Sequence, residues 1–122
     1  MARPDPGMRP SPAGLRLTLL ALLAAGLSPA AQAAEDAQLQ RGRELFTAKA
    51  TPACAVCHTL AAAGSSGEIG PVLDELKPDA ARVRRVLQSG LGVMPSYAGK
   101  LDAADMEALA QFVSRSAGSV KP

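Results

Sequence analysis

Tryptophan is missing from this chain, and the whole aromatic complement is Phe46, Tyr97 and Phe112. A small domain so poor in large apolar side chains has little with which to build a core unaided, and such domains often draw on a metal or another staple. There is no basic run and no interleaving of basic and aromatic residues, which excludes nucleic acid as a partner. Cysteine and histidine are scarce as well: Cys54, Cys57 and His58 are all there is. Three such groups fall short of the ligand set of a structural zinc site. The marked apolar stretch, Leu17 to Leu27, has 11 residues. As a helix it would be about 16 Å long, against roughly 30 Å of bilayer hydrocarbon.

That stretch belongs to a targeting pattern. Arg3, Arg9 and Arg16 precede it, and the small-residue sequence Ala31-Gln32-Ala33 follows as a cleavage site. Residues 1–33 are therefore expected to be a signal peptide, and residues 34–122 a single small domain with no membrane span. An uncleaved anchor is the competing reading. No Arg-Arg pair occurs in the segment, which favours a general secretion route to a bacterial periplasm over a twin-arginine one. Cleavage would remove three of the 13 basic residues and one of the 11 acidic ones, leaving ten of each. The basic character of the full chain thus resides mostly in its leader.

What the chain does have is Cys54-Ala55-Val56-Cys57-His58, which uses every thiol and imidazole available. The pattern C-x-x-C-H is that of c-type haem attachment. Two thiols on one turn can each add to a vinyl group at a haem edge, and the tether holds His58 beneath the iron as proximal ligand. A thioredoxin-like dithiol wants a preceding strand and a βαβ pattern, and neither is evident. A disulfide three residues wide would close too small a loop to constrain the unfolded chain much.

Around this turn the periodicity is helical. Leu39, Gly42, Leu45 and Phe46 make one stripe, predicting a helix from Asp36 to about Lys49. Gly42 costs roughly 1 kcal/mol there, for which close approach of another helix is the usual reason. Residues 61–70 are small and polar and read as a loop ending at Gly70-Pro71. The Pro71 carbonyl could accept the second ring N–H of an axial histidine, or Pro71 could be an ordinary turn proline. A second helix is expected from Pro78 to Ser89, with Asp79 at its positive end, Gly90 as cap, and Val83, Val86 and Leu87 as its buried stripe. Its other face carries Arg82, Arg84 and Arg85, a solvated face or a docking site for an acidic partner. Residues 90–97 are broken by glycines and a proline, and the Met94 thioether there could reach the iron, raising its potential. Met106 falls in the stripe of a last helix capped by Asp102, with Leu109, Ala110, Phe112 and Val113, and is expected in the core. No strand is expected.

Together these residues resemble the class I c-type cytochromes, over essentially all of residues 34–122. The resemblance implies an all-α cytochrome c fold, with N- and C-terminal helices crossing around one covalently attached haem. It implies that Gly42 and Phe46 meet Leu109 and Phe112, that Pro71 orients His58, and that His58 and Met94 are the two axial ligands. Tyr97 stands where that family often has an aromatic residue. The chain departs from the shortest members in the eight positions separating Phe46 from Cys54. It also lacks an aromatic between the second helix and Met94. More narrowly, residues 69–83 with the Met94 loop resemble the small cytochromes paired with periplasmic sulfite dehydrogenases.

The resemblance implies a one-electron carrier rather than an enzyme, taking electrons from a sulfite dehydrogenase and passing them to an oxidase or another cytochrome. It could equally remain bound to an oxidoreductase as its cytochrome subunit. The alternative in a different class is a haem peroxidase or gas sensor, which needs an open or displaceable distal position. Mass spectrometry of protein exported by a haem-maturing host is expected to find a chain that begins at Ala34 and carries one haem. A retained leader would contradict the boundary, and an unadorned mass would contradict the attachment.

Overall fold

The computed structural model describes residues 28–119, together with Met1, Ala2, Gly7 and Gly26. The expected leader features Arg3, Arg9, Arg16 and nearly all of residues 17–27 lie outside the described residues. Among the described residues, no helix is long and apolar enough to cross a membrane.

Helix α1 spans Pro29–Glu44. It starts well before the expected Asp36, for a local reason. Proline suits the first helical position, and the alanines that follow are the strongest helix formers. Residues 29–34 are nonetheless exposed, and full burial begins only at Gly42. The last turn, Leu45–Lys49, is wider than an α-helix, with the Ala50 N–H bonded to the Leu45 carbonyl at 3.1 Å. Thr47 Oγ1 donates back to the Arg43 carbonyl at 2.9 Å, a side-chain bond that tends to bend helices. The widened turn leaves Leu45, Phe46 and Ala50 all buried.

After a tight turn at Cys54–Val56 the chain forms strands β1 (Thr59–Leu60) and β2 (Ser65–Ser66). They pair antiparallel, Thr59 opposite Ser66 and Leu60 opposite Ser65, which corrects the expectation of no strand. Two-residue strands are too short to show alternation. This ribbon is held partly by side chains, since Ser65 Oγ accepts from the Leu60 N–H and donates to the His58 carbonyl. A further short helix, α2 (Leu73–Leu76), was equally invisible to periodicity. Asp74 on it anchors two distant backbones, accepting from the Ala61 N–H at 2.8 Å and the Gly118 N–H at 2.9 Å.

Helix α3 (Ala80–Ser89) begins two residues later than expected, because Asp79 is the cap itself: its carboxylate accepts from the Arg82 N–H at 2.7 Å. Helix α4 (Ala103–Ser116) is capped by Asp102 as expected, through the Asp105 N–H at 2.7 Å. Met106 is buried in its stripe with Leu109, Phe112 and Val113.

Helices α1 and α4 cross at Gly42. A Cβ there would lie 2.2 Å from the Ala108 carbonyl oxygen and 2.6 Å from the Phe112 Cβ, so only glycine permits the approach. One turn on, the Phe46 and Phe112 rings meet edge to face, centroids 5.9 Å apart. Arg41 clasps Asp105 through both carboxylate oxygens, at 2.8 and 2.9 Å, beside the crossing. Helix α3 packs on the other side of α4, where Arg84 binds Glu107 at 2.7 Å. Gly42→Ala gains helix propensity but must push the two backbones away from each other. Chemical denaturation is expected to show a net loss of about 2 kcal/mol; unchanged stability would mean that the helices are not in this contact.

Candidate haem cleft

The Cys54–Val56 turn is fastened by its own backbone: the Cys57 and His58 N–H groups both bond the Cys54 carbonyl, at 3.1 and 2.9 Å. Residues 67–71 then fold back onto it. The Gly70 N–H donates to the Cys57 carbonyl at 2.7 Å, and Thr59 Oγ1 donates to the Gly67 carbonyl at 3.0 Å. Two glycines make this return possible. A Cβ on Gly67 would lie 2.6 Å from the Cys57 carbonyl carbon, and one on Gly70 would lie 2.5 Å from His58 Cε1.

The return loop brings the Pro71 carbonyl to 2.9 Å from His58 Nδ1. A carbonyl can only accept, so Nδ1 carries a proton, and in the neutral ring the free lone pair is on Nε2. An imidazole held in this way is oriented and made more basic toward a metal. Of the two readings open for Pro71 in the sequence, the geometry is that of the histidine partner.

His58, Cys54, Cys57, Pro71 and Met94 all line one cleft of about 350 Å³. Its remaining walls are mostly apolar, among them Phe46, Leu73, Val83, Val86, Leu87, Leu109 and Val113. Arg82 is the one arginine or lysine on its lining. Val83 and Val86, expected in a buried stripe, are half-buried because they face this cleft. Arg84 is drawn away to Glu107, so the expected basic face of three arginines is split.

Met94 is half-buried and sits in a closed turn, with Leu91 and Met94 exchanging both backbone hydrogen bonds at 3.0 Å. Gly90 has φ of +70°, and a Cβ there would crowd the Met94 carbonyl at 2.8 Å. The far end of the loop is tied to α3 by Ser96 Oγ to the Gln88 carbonyl at 2.6 Å and by the Tyr97 N–H to the Leu87 carbonyl at 2.7 Å. Tyr97 itself lines the cleft, and its hydroxyl donates to the Pro52 carbonyl at 2.6 Å. Burial pushes its phenol up to about 12, so it is protonated at neutral pH. Sequence reasoning missed this bond, and the roles of Gly67 and Gly70 beside the turn. Partners 45 residues apart leave no local signal.

The donor set fits a covalent haem better than its rivals. Cys54 and Cys57 are free thiols. Burial pushes Cys54 up to about 11, the reverse of the lowered thiol of a redox dithiol. Among the described residues, no group of three or more His, Cys, Asp or Glu is placed to hold a metal ion. A bare imidazole nitrogen, two thiols and a thioether around an apolar cleft are the groups that attach and ligate haem iron.

Comparison with known proteins agrees. A family model described as cytochrome c oxidase, cbb3-type, subunit III matches residues 37–113. Among solved structures, the c-type cytochrome SorU from Sinorhizobium meliloti is 47% identical, with a TM-score of 0.67. The match covers 71% of this chain and 99% of SorU. Comparison with curated proteins found no match. Since the family model spans more than half of the residues and agrees with the fold and the cleft, this chain belongs to the cytochrome c family, as a class I c-type cytochrome of the kind that binds haem c covalently.

Proposed function

We propose that the chain is an exported, periplasmic one-electron carrier with a single haem, held through Cys54 and Cys57, with His58 and Met94 as axial ligands. The observation that carries this reading is the convergence of those four side chains on one apolar cleft, with His58 Nδ1 bound to the Pro71 carbonyl. Haem bound there supplies an iron that cycles between two oxidation states. The chain's own residues do the rest. Pro71 accepts from Nδ1 and Gly70 leaves room for the ring, which orients the imidazole and would leave Nε2 as the nitrogen that takes the iron. Phe46, Leu73, Val83 and Leu109 exclude water from around it. Such an apolar surround limits the reorganisation that accompanies a change of charge and is a determinant of potential. Export would be directed by residues 1–33, leaving 34–122 as the cytochrome domain.

The physiological donor on this reading is a sulfite dehydrogenase-type enzyme, and the acceptor an oxidase or another cytochrome. The support is the likeness of residues 69–83 and the Met94 loop to cytochromes of that role, together with the identity to SorU along nearly all of SorU's length. The cleft mouth suits brief encounters. Ile69, Leu91 and Val93 on its lining are exposed, at 67%, 67% and 88%. A small apolar collar of this kind belongs with the weak, low-area interfaces of redox pairs.

Ligation is tested at Met94. In the ferric protein the weak far-red absorbance conferred by a thioether–iron bond is expected to vanish in Met94→Ala while the haem stays attached. Ferrous wild type is expected to bind carbon monoxide slowly if at all at neutral pH, and prompt binding would favour the peroxidase or gas-sensor alternative. Gly70→Ala is expected to push the imidazole off the Pro71 carbonyl and to shift the reduction potential, measured by redox titration; an unshifted potential would show that Gly70 does not govern the ring.

A further inference from the structure

We propose that Tyr97 is the positioning residue for Met94: its hydroxyl latches the end of the Met94 loop to the segment leading into Cys54, and so sets how readily that loop opens. The functional consequence rests on Met94 being an axial ligand, whereas the latch itself rests on hydrogen-bond geometry.

The loop from Gly90 to Ser96 has little else to hold it. Leu91 and Val93 project into solvent, and the two hydrogen bonds between Leu91 and Met94 are internal to the turn. The other bonds at its ends return to α3 or pass on along the chain: the Gly90 N–H donates to Val86, Ser96 Oγ to Gln88 and the Tyr97 N–H to Leu87, while the Ala98 N–H donates to Ser96 Oγ and the Lys100 and Leu101 N–H groups to the Tyr97 carbonyl. None of those bonds reaches the segment that leads into Cys54. Among the hydrogen bonds of the described residues, only that from the Tyr97 hydroxyl to the Pro52 carbonyl, at 2.6 Å, joins the loop's end to the segment leading into Cys54.

The ring could pack without its hydroxyl. Tyr97 is 3% exposed, and phenylalanine would fill the same space. A hydroxyl in such a place must find an acceptor or lose the hydration it had in the unfolded chain. Pro52 has no N–H, and its carbonyl lies just before the turn that carries both thiols. The bond thus couples the segment leading into Cys54 to the loop that carries Met94. With glycines of positive φ at Gly90 and Gly92, the loop has its hinges already built, and the latch opposes their motion.

The test uses haem-loaded wild type and Tyr97→Phe, which keeps the ring. Amide hydrogen exchange at Leu91, Met94 and Tyr97 is expected to quicken about five- to tenfold, while exchange at Met106 and Leu109 in α4 stays unchanged. Imidazole binding to the ferric protein, which needs Met94 to leave, is expected to quicken about as much. Unchanged exchange at Leu91 and Met94 would overturn the latch. Equal quickening in the loop and in α4 would also overturn it, since that marks a general loss of stability. Failure of the Met94 reading looks different: wild type would bind imidazole as fast as Met94→Ala, while the amide data would still judge the latch.

Discussion

Because a backbone carbonyl accepts and never donates, the 2.9 Å contact between Pro71 and His58 decides which ring nitrogen is protonated and which is bare. Much of the surrounding loop structure serves that contact. For Pro71 to reach the ring, residues 67–71 must lie flat against the Cys57–His58 backbone, and only glycine at 67 and 70 allows it. The far side of the loop must be fixed too. Asp74 provides this by binding the Ala61 and Gly118 N–H groups, tying α2 to the ribbon and to the end of α4. A four-residue helix that would be marginal alone is thereby locked between two regions of the chain.

The features of this fold legible in the sequence are those whose cause is local. The C-x-x-C-H turn places its thiols and imidazole through bonds within five residues. Asp79 and Asp102 cap the helices that follow them, and the α4 stripe of Met106, Leu109, Ala110 and Val113 is buried as its spacing implies. Gly42 was legible for another reason, being a costly residue in a helix interior and so a mark of contact. What escaped was short or long-range. The β1–β2 ribbon and α2 have too few residues for a period to emerge. The early start of α1 came from propensity in residues that pack on nothing, where no apolar stripe could announce it. Tyr97 and Pro52 meet only because the whole chain has folded.

The scarcity of aromatics now has a structural counterpart. The largest fully buried side chains are Phe46, Leu45, Leu60 and Leu109, and two of these, Phe46 and Leu109, also line the cleft. Val83 and Val86 are half-buried for the same reason. The α1–α4 crossing is thus one wall of a core whose centre is the cleft. Apolar surface removed from water contributes about 25 cal/mol per Å². For the half-buried Val83 and Val86, the rest of that gain would come when haem covers them. In a domain this small, cofactor and fold are energetically one unit, and covalent attachment prevents the cofactor from leaving.

Charge is arranged so as to leave that centre alone. Arg41–Asp105 and Arg115–Glu35 join α1 to α4, Arg84–Glu107 joins α3 to α4, and Lys49–Glu44 lies within the end of α1. All are partly solvated, and solvent screening keeps such pairs weak. The bidentate Arg41 clasp lies beside the α1–α4 crossing at Gly42. Among the cleft-lining residues only Arg82 carries a guanidinium or ammonium, while the collar around the mouth is aliphatic. A surface of that kind gains contact area without the cost of desolvating charges, and it holds a partner weakly enough to release it. On the proposed reading, the separation of charged helix seams from an apolar mouth would allow one small domain to be rigid around its ligands and transient in its encounters.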